Sequence, residues 1–308
     1  MTGDPITALI QMRDKPPGTP PGDNLGQALN AATARLARAG IESARLDARL
    51  LAAHALGWDA AKVAATKDFF PDAEQRWTLE VLITRREARE PVAAIIGRCE
   101  FWSLNFAVNA DVLIPRPDSE TIIEAALAAA EDGDENKDGA LGILDLGTGS
   151  GCLLLALLSE LPLARGLGVD ISEAALSVAA SNAKNLGLEG RAEFELSDWG
   201  DGLSGRFDII LANPPYIADG EFAALEPEVA RFEPRLALSG GADGLDCTRA
   251  LAPRLGPLLA PGGRAFVEIG AAQADAVAAL FKAGGLEVRQ VHKDLAGHPR
   301  VIEAENVF

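Results

Sequence analysis

The sequence predicts a doubly wound α/β domain with a mostly parallel sheet, preceded by a small helical domain. Three observations carry this expectation. From about residue 112 onward, helical stretches alternate with short apolar strands. One of those strands runs into a glycine-rich turn that opens a helix, and the chain before residue 90 has helical composition with no strand pattern.

The first 24 residues are rich in proline and glycine and are expected to be a disordered tail without assigned role. Residues 25–92 are rich in Ala, Leu, Arg and Glu, with apolar positions at helical spacing such as Leu46, Leu50, Leu51 and Leu56, which makes them the helical domain. After Glu90-Pro91 the pattern turns aromatic and β-branched in FWSLNFAVNADVLIPRP. There Phe101, Trp102, Phe106 and Val108 predict a β-hairpin that links the two domains over 93–111.

The remaining residues, 112–308, read as the catalytic domain. A helix is expected over Ser119 to Ala130, a strand over Gly142 to Leu146, a helix from Cys152 and a strand ending at Asp170. A helix over Glu173 to Leu186, a strand over Ala192 to Leu196 and a strand ending at Asn213 follow. A helix over Thr248 to Leu259 and a strand over Arg264 to Ile269 complete the pattern. The acidic run from Glu131 to Asp138 reads as a solvated loop.

Composition narrows the function. The chain has 308 residues, 48% of them hydrophobic, which is enough for a sizeable core and for two domains. Lys plus Arg number 28 against 45 Asp plus Glu, and a net charge of −17 repels polyanions and anionic membrane surfaces. Direct nucleic-acid or membrane partners are therefore not expected. Cys99, Cys152 and Cys247 lack CxxC spacing and His54, His292 and His298 are dispersed, so neither a metal site nor a disulfide framework is expected. No apolar run reaches the roughly 20 residues of a membrane helix, and no basic-then-apolar leader opens the chain. The expectation is a cytoplasmic, monomeric protein.

In ILDLGTGSGCLLLALL a strand enters Gly147-Thr148-Gly149-Ser150-Gly151 and then a helix. Glycines let the backbone turn sharply and approach a ligand closely, and a helix N-terminus offers unpaired N–H groups. A dinucleotide fingerprint would require glycine where Cys152 stands, and no Gly-Lys-Ser/Thr follows to make a phosphate loop. Asp170 ends the next strand, where an acidic side chain accepts ribose hydroxyls. The third strand leads to Ser197-Asp198-Trp199, in which Asp198 and Trp199 could bracket an adenine ring. Together these residues describe an S-adenosylmethionine site. Glycine turns of this kind also serve packing alone in many α/β folds, and a lone tryptophan is as often core as contact.

The strand Phe207 to Ala212 must stop at Asn213-Pro214-Pro215-Tyr216, because two consecutive prolines cannot donate to a ladder. In a doubly wound sheet ligands bind beyond the carboxyl ends of the strands, which puts Asn213 beside the methyl donor. A planar amide or amino nitrogen is a poor nucleophile, and acceptors that fix both its N–H bonds turn its lone pair toward an electrophile. The Asn213 side-chain oxygen and the Pro214 carbonyl are two such acceptors, and Tyr216 can pack on the planar group. The plainer alternative is a strand-ending turn, since Asn and Pro are turn residues. The histidines read as structural.

The chain resembles the HemK-like family of protein glutamine N5-methyltransferases, which modify peptide-chain release factors. The resemblance runs from about Leu25 to the C-terminus. It rests on Glu100-Phe101-Trp102, on Val112 to Glu120 (VLIPRPDSE), on the glycine loop, on Asn213 to Tyr216, on FEPRLALSGGADGLD at 232–246 and on DLAGHPRVIEA at 294–304. It implies a Rossmann-like methyltransferase fold, S-adenosylmethionine held at the glycine loop, Asp170, Trp199 and Asn213, and a substrate glutamine held at Asn213, Pro214, Pro215 and Tyr216. Phe101 and Arg116 are further expected substrate contacts, and the helical domain is expected to recognise the release factor. A sister enzyme that methylates a ribosomal protein usually follows the Pro-Arg with Ser-Pro, so Arg116-Pro117-Asp118-Ser119-Glu120 favours the release-factor enzyme. A nucleic-acid adenine N6-methyltransferase shares the Asn-Pro-Pro-Tyr but fits the charge poorly, and a non-catalytic binding module need not keep both cofactor and acceptor residues.

Overall fold

The structure is a computed structural model that describes residues 22–131 and 140–307. Most of the expected tail and the acidic loop from residue 132 lie outside the described residues. The described chain divides at Gly97 into two compact units.

The first unit is all helix: α1 (Leu25–Arg38), α2 (Ala44–Leu56), α3 (Ala60–Ala65), α4 (Ala73–Glu87) and α5 (Val92–Ile96). Capping boxes open α1 and α4, where Asn24 with Gln27 and Asp72 with Gln75 each satisfy orphan N–H groups reciprocally. Gly57 in the left-handed region closes α2. Leu25, Leu36, Leu51, Val63 and Ile83 form its core, into which Arg86 and Asp47 are buried as a pair at 2.7 Å.

The second unit begins with the hairpin β1 (Arg98–Phe101) and β2 (Leu104–Ala107). Residues 93–96, expected in the hairpin, are instead the last turns of the helical unit, since Gly97 in the left-handed region ends α5. Next come α6 (Glu120–Glu131), β3 (Gly142–Leu146), α7 (Cys152–Glu160), β4 (Arg165–Asp170), α8 (Glu173–Asn185), β5 (Ala192–Leu196) and β6 (Phe207–Ala212). The chain ends with α9 (Pro227–Phe232), α10 (Asp246–Leu258), β7 (Leu259–Glu268), α11 (Ala274–Ala283), β8 (Leu286–Lys293) and β9 (Pro299–Asn306).

Seven strands form one sheet in the order β5-β4-β3-β6-β7-β9-β8. β5 to β7 are parallel, and β9 runs antiparallel to both β7 and β8. This is the Rossmann-like doubly wound architecture. The sequence pattern did not announce β8 and β9, because β8 is an edge strand with much of its length exposed and many charged residues, so it lacks an apolar run. His292 lies on β8 and contacts Glu303 at 2.9 Å, a structural role for that histidine.

Alternate residues of each central strand serve two cores. Ile143, Ile209, Leu211 and Phe266 face α6 and α7 through one cluster, whereas Leu144, Leu146, Ile210, Ala212 and Val267 face α10 and α11 through the other. On β6 the two faces thus read as one continuous apolar run from Ile209 to Ala212, whereas on β3 the buried Asp145 interrupts the run.

Gly166 on β4 lets the fully buried Leu154 of α7 lie against the sheet, since a Cβ at 166 would sit 2.3 Å from the Leu154 Cδ1. Gly166→Val should therefore cost about 1–3 kcal/mol through overpacking. A lowered urea midpoint with unchanged slope is the expected outcome, and a wild-type midpoint would contradict this packing.

Candidate functional site

Because strands β3, β4 and β5 are laid down on one side of the sheet and β6 on the other, a crevice opens at the carboxyl ends of β3 and β6. A cavity of about 350 Å³ occupies it, within the 300–1,000 Å³ range of small-molecule sites. Every residue lining it lies at Ala110 or later.

The floor is the glycine loop after β3. Gly147, Gly149 and Gly151 have φ of 73°, 54° and 79°, a left-handed path that side chains resist. The loop is braced from two sides. Asp170 at the end of β4 accepts the Gly149 N–H through Oδ2 and the Ser172 N–H through Oδ1, both at 2.9 Å. A carboxylate has about four lone-pair sites, so Asp170 keeps acceptor capacity toward the cavity it lines. From α8, the fully buried Asn182 donates to the Ser150 carbonyl at 2.9 Å and ties the loop to Ala107 of β2.

Beneath the loop, Asp145 is completely buried. Its Oδ2 accepts from the Thr148 hydroxyl at 2.6 Å, while its Oδ1 has no partner. Burial pushes its carboxyl up to about 7. Cys152, at the start of α7, lines the cavity too, but burial pushes its thiol up to about 12 and it offers no thiolate.

A further part of the wall comes from Asp198 and Trp199. Trp199 takes a left-handed φ of 51° and lines the cavity while also packing on the second core. Its ring lies against the loop, 3.4 Å from where a Cβ on Gly147 would stand. The site thus combines a glycine cradle, an acidic side chain at the end of the second parallel strand and an aromatic wall, and these residues fit a nucleoside bearing an amino-acid moiety.

Of the four residues after β6, Asn213 and Pro215 line the cavity and Pro214 is buried. Asn213 Nδ2 donates to the Ser119 Oγ at 3.2 Å, and Ser119 Oγ donates to Glu268 Oε2 at 2.5 Å. Tyr216 was expected to pack on the acceptor group. Instead its half-buried side chain is not among the cavity-lining residues, and its hydroxyl donates to Glu268 Oε1 at 3.2 Å, as a phenol shielded from water requires a partner. Burial and the neighbouring Glu268 carboxylate push that phenol upward, so it remains a donor. Gln273 donates to the Tyr216 and Gly244 carbonyls at 3.0 and 3.2 Å and fixes the turn from the other side.

Arg116, expected as a substrate contact, lines the cavity and pairs with Glu233 at 2.6 Å. Phe101 does not. It is 1% exposed and stacks edge-on with Phe106 at 6.2 Å, because the inward face of the short hairpin is absorbed into the core. Ser119, Asn182, Glu233, Glu268 and Gln273 were not singled out as site residues. Ser119 and Glu233 sit inside quoted motifs, whereas Glu268 lies in an apolar strand and gives no signal of its own. Among the described residues no helix is long and apolar enough to cross a membrane, and no cluster of His, Cys, Asp or Glu is placed to hold a metal ion.

A family model described as PrmC N-terminal domain matches residues 27–97, and one described as Methyltransferase domain matches residues 137–253. The chain is 50% identical over 281 residues to the release factor glutamine methyltransferase of Rhodospirillum rubrum, covering 91% of this chain and 84% of that one. It is 48% identical over 279 residues to the release factor glutamine methyltransferase of Cereibacter sphaeroides, covering 90% and 96%. Among solved structures, the hMettl16 catalytic domain in complex with MAT2A 3′UTR hairpin 6 aligns with a TM-score of 0.50 at 14% identity, over 66% of this chain and 75% of that chain. That likeness concerns the fold alone.

Two outcomes follow from the geometry. Asp170→Ala should weaken S-adenosylmethionine binding by roughly 1.5–3 kcal/mol, the scale of hydrogen bonds to a charged group; calorimetric titration with unchanged affinity would remove Asp170 from the site. A carboxyl whose folded pKa lies above its unfolded value costs stability as pH rises between the two. For Asp145 that interval runs from about 4 to about 7, with a slope of at most about 1.4 kcal/mol per pH unit. Denaturation of the ligand-free protein across that range should show a shallower fall in Asp145→Asn than in wild type.

Proposed function

The chain belongs to the release factor glutamine methyltransferase family, and from that premise we propose that it methylates the side-chain amide nitrogen of the glutamine in the Gly-Gly-Gln tip of peptide chain release factors. S-adenosylmethionine, the cofactor of this family, supplies an electrophilic sulfonium methyl group. The residues that would hold it are the glycine loop 147–151, Asp170, Asp198 and Trp199.

The observation that carries this reading is the placement of Asn213 in the same cavity wall as the glycine loop. The nitrogen of a glutamine amide has its lone pair delocalised into the carbonyl. Asn213 Oδ1 and the Pro214 carbonyl are two acceptors for its N–H bonds, and holding both bonds aims the lone pair across the cavity. Catalysis here is alignment: no histidine or lysine is among the lining residues, and the nitrogen can release its proton to water once methylated. Two glycines before the glutamine bring no side-chain bulk, which suits a narrow crevice. Arg116, Pro234, Leu236 and Ala237 form the part of the wall beyond Asn213 that would receive the loop.

The helical unit is the docking element in this reading, since the cavity lies wholly in the second unit. An adenine in nucleic acid could meet the same Asn213, but a chain of net charge −17 disfavours that substrate. A cytoplasmic monomer is in keeping with a release-factor substrate.

Asn213→Ala should lower the methylation rate at least about 10²-fold while S-adenosylmethionine still binds, the cost of misplacing reacting groups. Mass spectrometry of release-factor peptides gives both the rate and the site. Normal turnover in the variant, or a methyl group on another residue, would overturn the mechanism. A fragment beginning at Arg98 should retain S-adenosylmethionine binding but methylate release factor poorly; full activity in that fragment removes the docking role of the helical unit.

A further inference from the structure

We propose that Glu268 is a positioning residue that sets the polarity of the Asn213 carboxamide: it takes the proton of Ser119, so that Ser119 can only accept from Asn213, and the Asn213 oxygen is left for the substrate amide. This rests on the functional reading above and adds to it a residue, outside the cavity wall, on which the reaction depends.

The argument is a count of protons. A carboxylate only accepts, and a serine hydroxyl has one proton. At 2.5 Å the Ser119–Glu268 contact has the length of an O–H···O⁻ bond, so the single Ser119 proton is committed to Glu268. The Ser119 oxygen then faces Asn213, at 3.2 Å, with lone pairs alone. Only the NH₂ end of Asn213 can satisfy them. The carboxamide oxygen is thereby turned from Ser119, and no described residue donates to it.

The other polarity is the damaging one. A Ser119 free to donate would give its proton to the Asn213 oxygen, and the amide would rotate to aim its N–H bonds at the substrate. The glutamine nitrogen also bears two N–H bonds, so donor would face donor and the lone pair would lose its alignment. The carboxylate prevents this from a distance. Glu268 itself is 2% exposed at the carboxyl end of β7.

Two hydroxyls and a guanidinium hold Glu268 as an acceptor against its burial. Tyr216 donates to its second oxygen, so both Glu268 oxygens receive O–H bonds. Burial raises the carboxyl, and the Ser119 hydroxyl, the Arg300 guanidinium and the Tyr216 hydroxyl oppose that rise while Asp118 adds to it. Arg300 on β9 is in turn held by Asp294 at 2.9 Å and Asp118 at 3.0 Å, two residues from the DLAGHPR and PRPDSE segments. The Asn213 turn, the PRPDSE turn and the β8–β9 hairpin thus converge on one carboxylate.

The test uses the full chain with release factor as substrate and the variants E268Q, S119A and their double. The isosteric E268Q should lower kcat at least about 10-fold, one misdirected hydrogen bond, with S-adenosylmethionine affinity by calorimetry and KM for release factor within about threefold of wild type. S119A should cut kcat similarly, and E268Q should then cost little more, since the coupling runs through Ser119. A folded E268Q that binds S-adenosylmethionine and turns over at the wild-type rate overturns the assignment, as do costs that multiply in the double variant. If E268Q does not fold, S119A decides: wild-type kcat overturns the assignment and reduced kcat with unchanged cofactor affinity supports it. Wild type is the control for the functional reading, which alone falls if wild type leaves the release-factor glutamine unmodified.

Discussion

The site depends on the place where β6 stops. Pro214 and Pro215 have no N–H to give, so the parallel ladder with β7 ends at Ala212 and the chain must leave the sheet at Asn213. β6 lies between β3 and β7, and β3 delivers the glycine loop. Ending β6 there sets a rigid carboxamide beside that loop. A flexible loop could carry an asparagine to the same crevice, but only at the entropic cost of ordering it in each catalytic cycle.

A chain that leaves a sheet abruptly needs its backbone groups caught elsewhere, and the structure does so with residues far apart in sequence. Gln273 binds the Tyr216 carbonyl, and Gly244 passes so close that a Cβ there would stand 2.4 Å from it. Gly244 has φ of 77° as well, so both sterics and backbone conformation require glycine. The SGGADG segment packs against the turn that follows β6, which gives that motif a structural reason.

The surroundings of the cavity are rich in buried carboxyls. Asp145, Glu233 and Glu268 are all raised by burial, and each is answered by a specific donor: Thr148, Arg116, and Ser119 with Tyr216. Burying a carboxylate costs several kcal/mol unless hydrogen bonds offset it, so such groups persist where their acceptor strength orients neighbours. The Arg116–Glu233 pair has that character, for it holds a cavity-lining guanidinium against a nearly inaccessible partner.

The sequence by itself determined the elements whose signals are local. Glycines at 147, 149 and 151, an acid at the end of a strand, and prolines that cut β6 short each announce a backbone state or a strand end. Those states follow from the residue's own φ preference and hydrogen-bonding capacity. The helical composition of the first unit was legible for the same reason. What only the tertiary structure decided are contacts across the chain: Phe101 and Phe106 turning into the core, Tyr216 reaching Glu268, and Ser119 standing between Glu268 and Asn213. A glutamate in the apolar run FVEIG carries no local mark of its partners, because they come from residues 119, 216 and 300, brought together by β7 lying between β6 and β9. Side-chain roles set by strand order cannot be read from spacing along one segment.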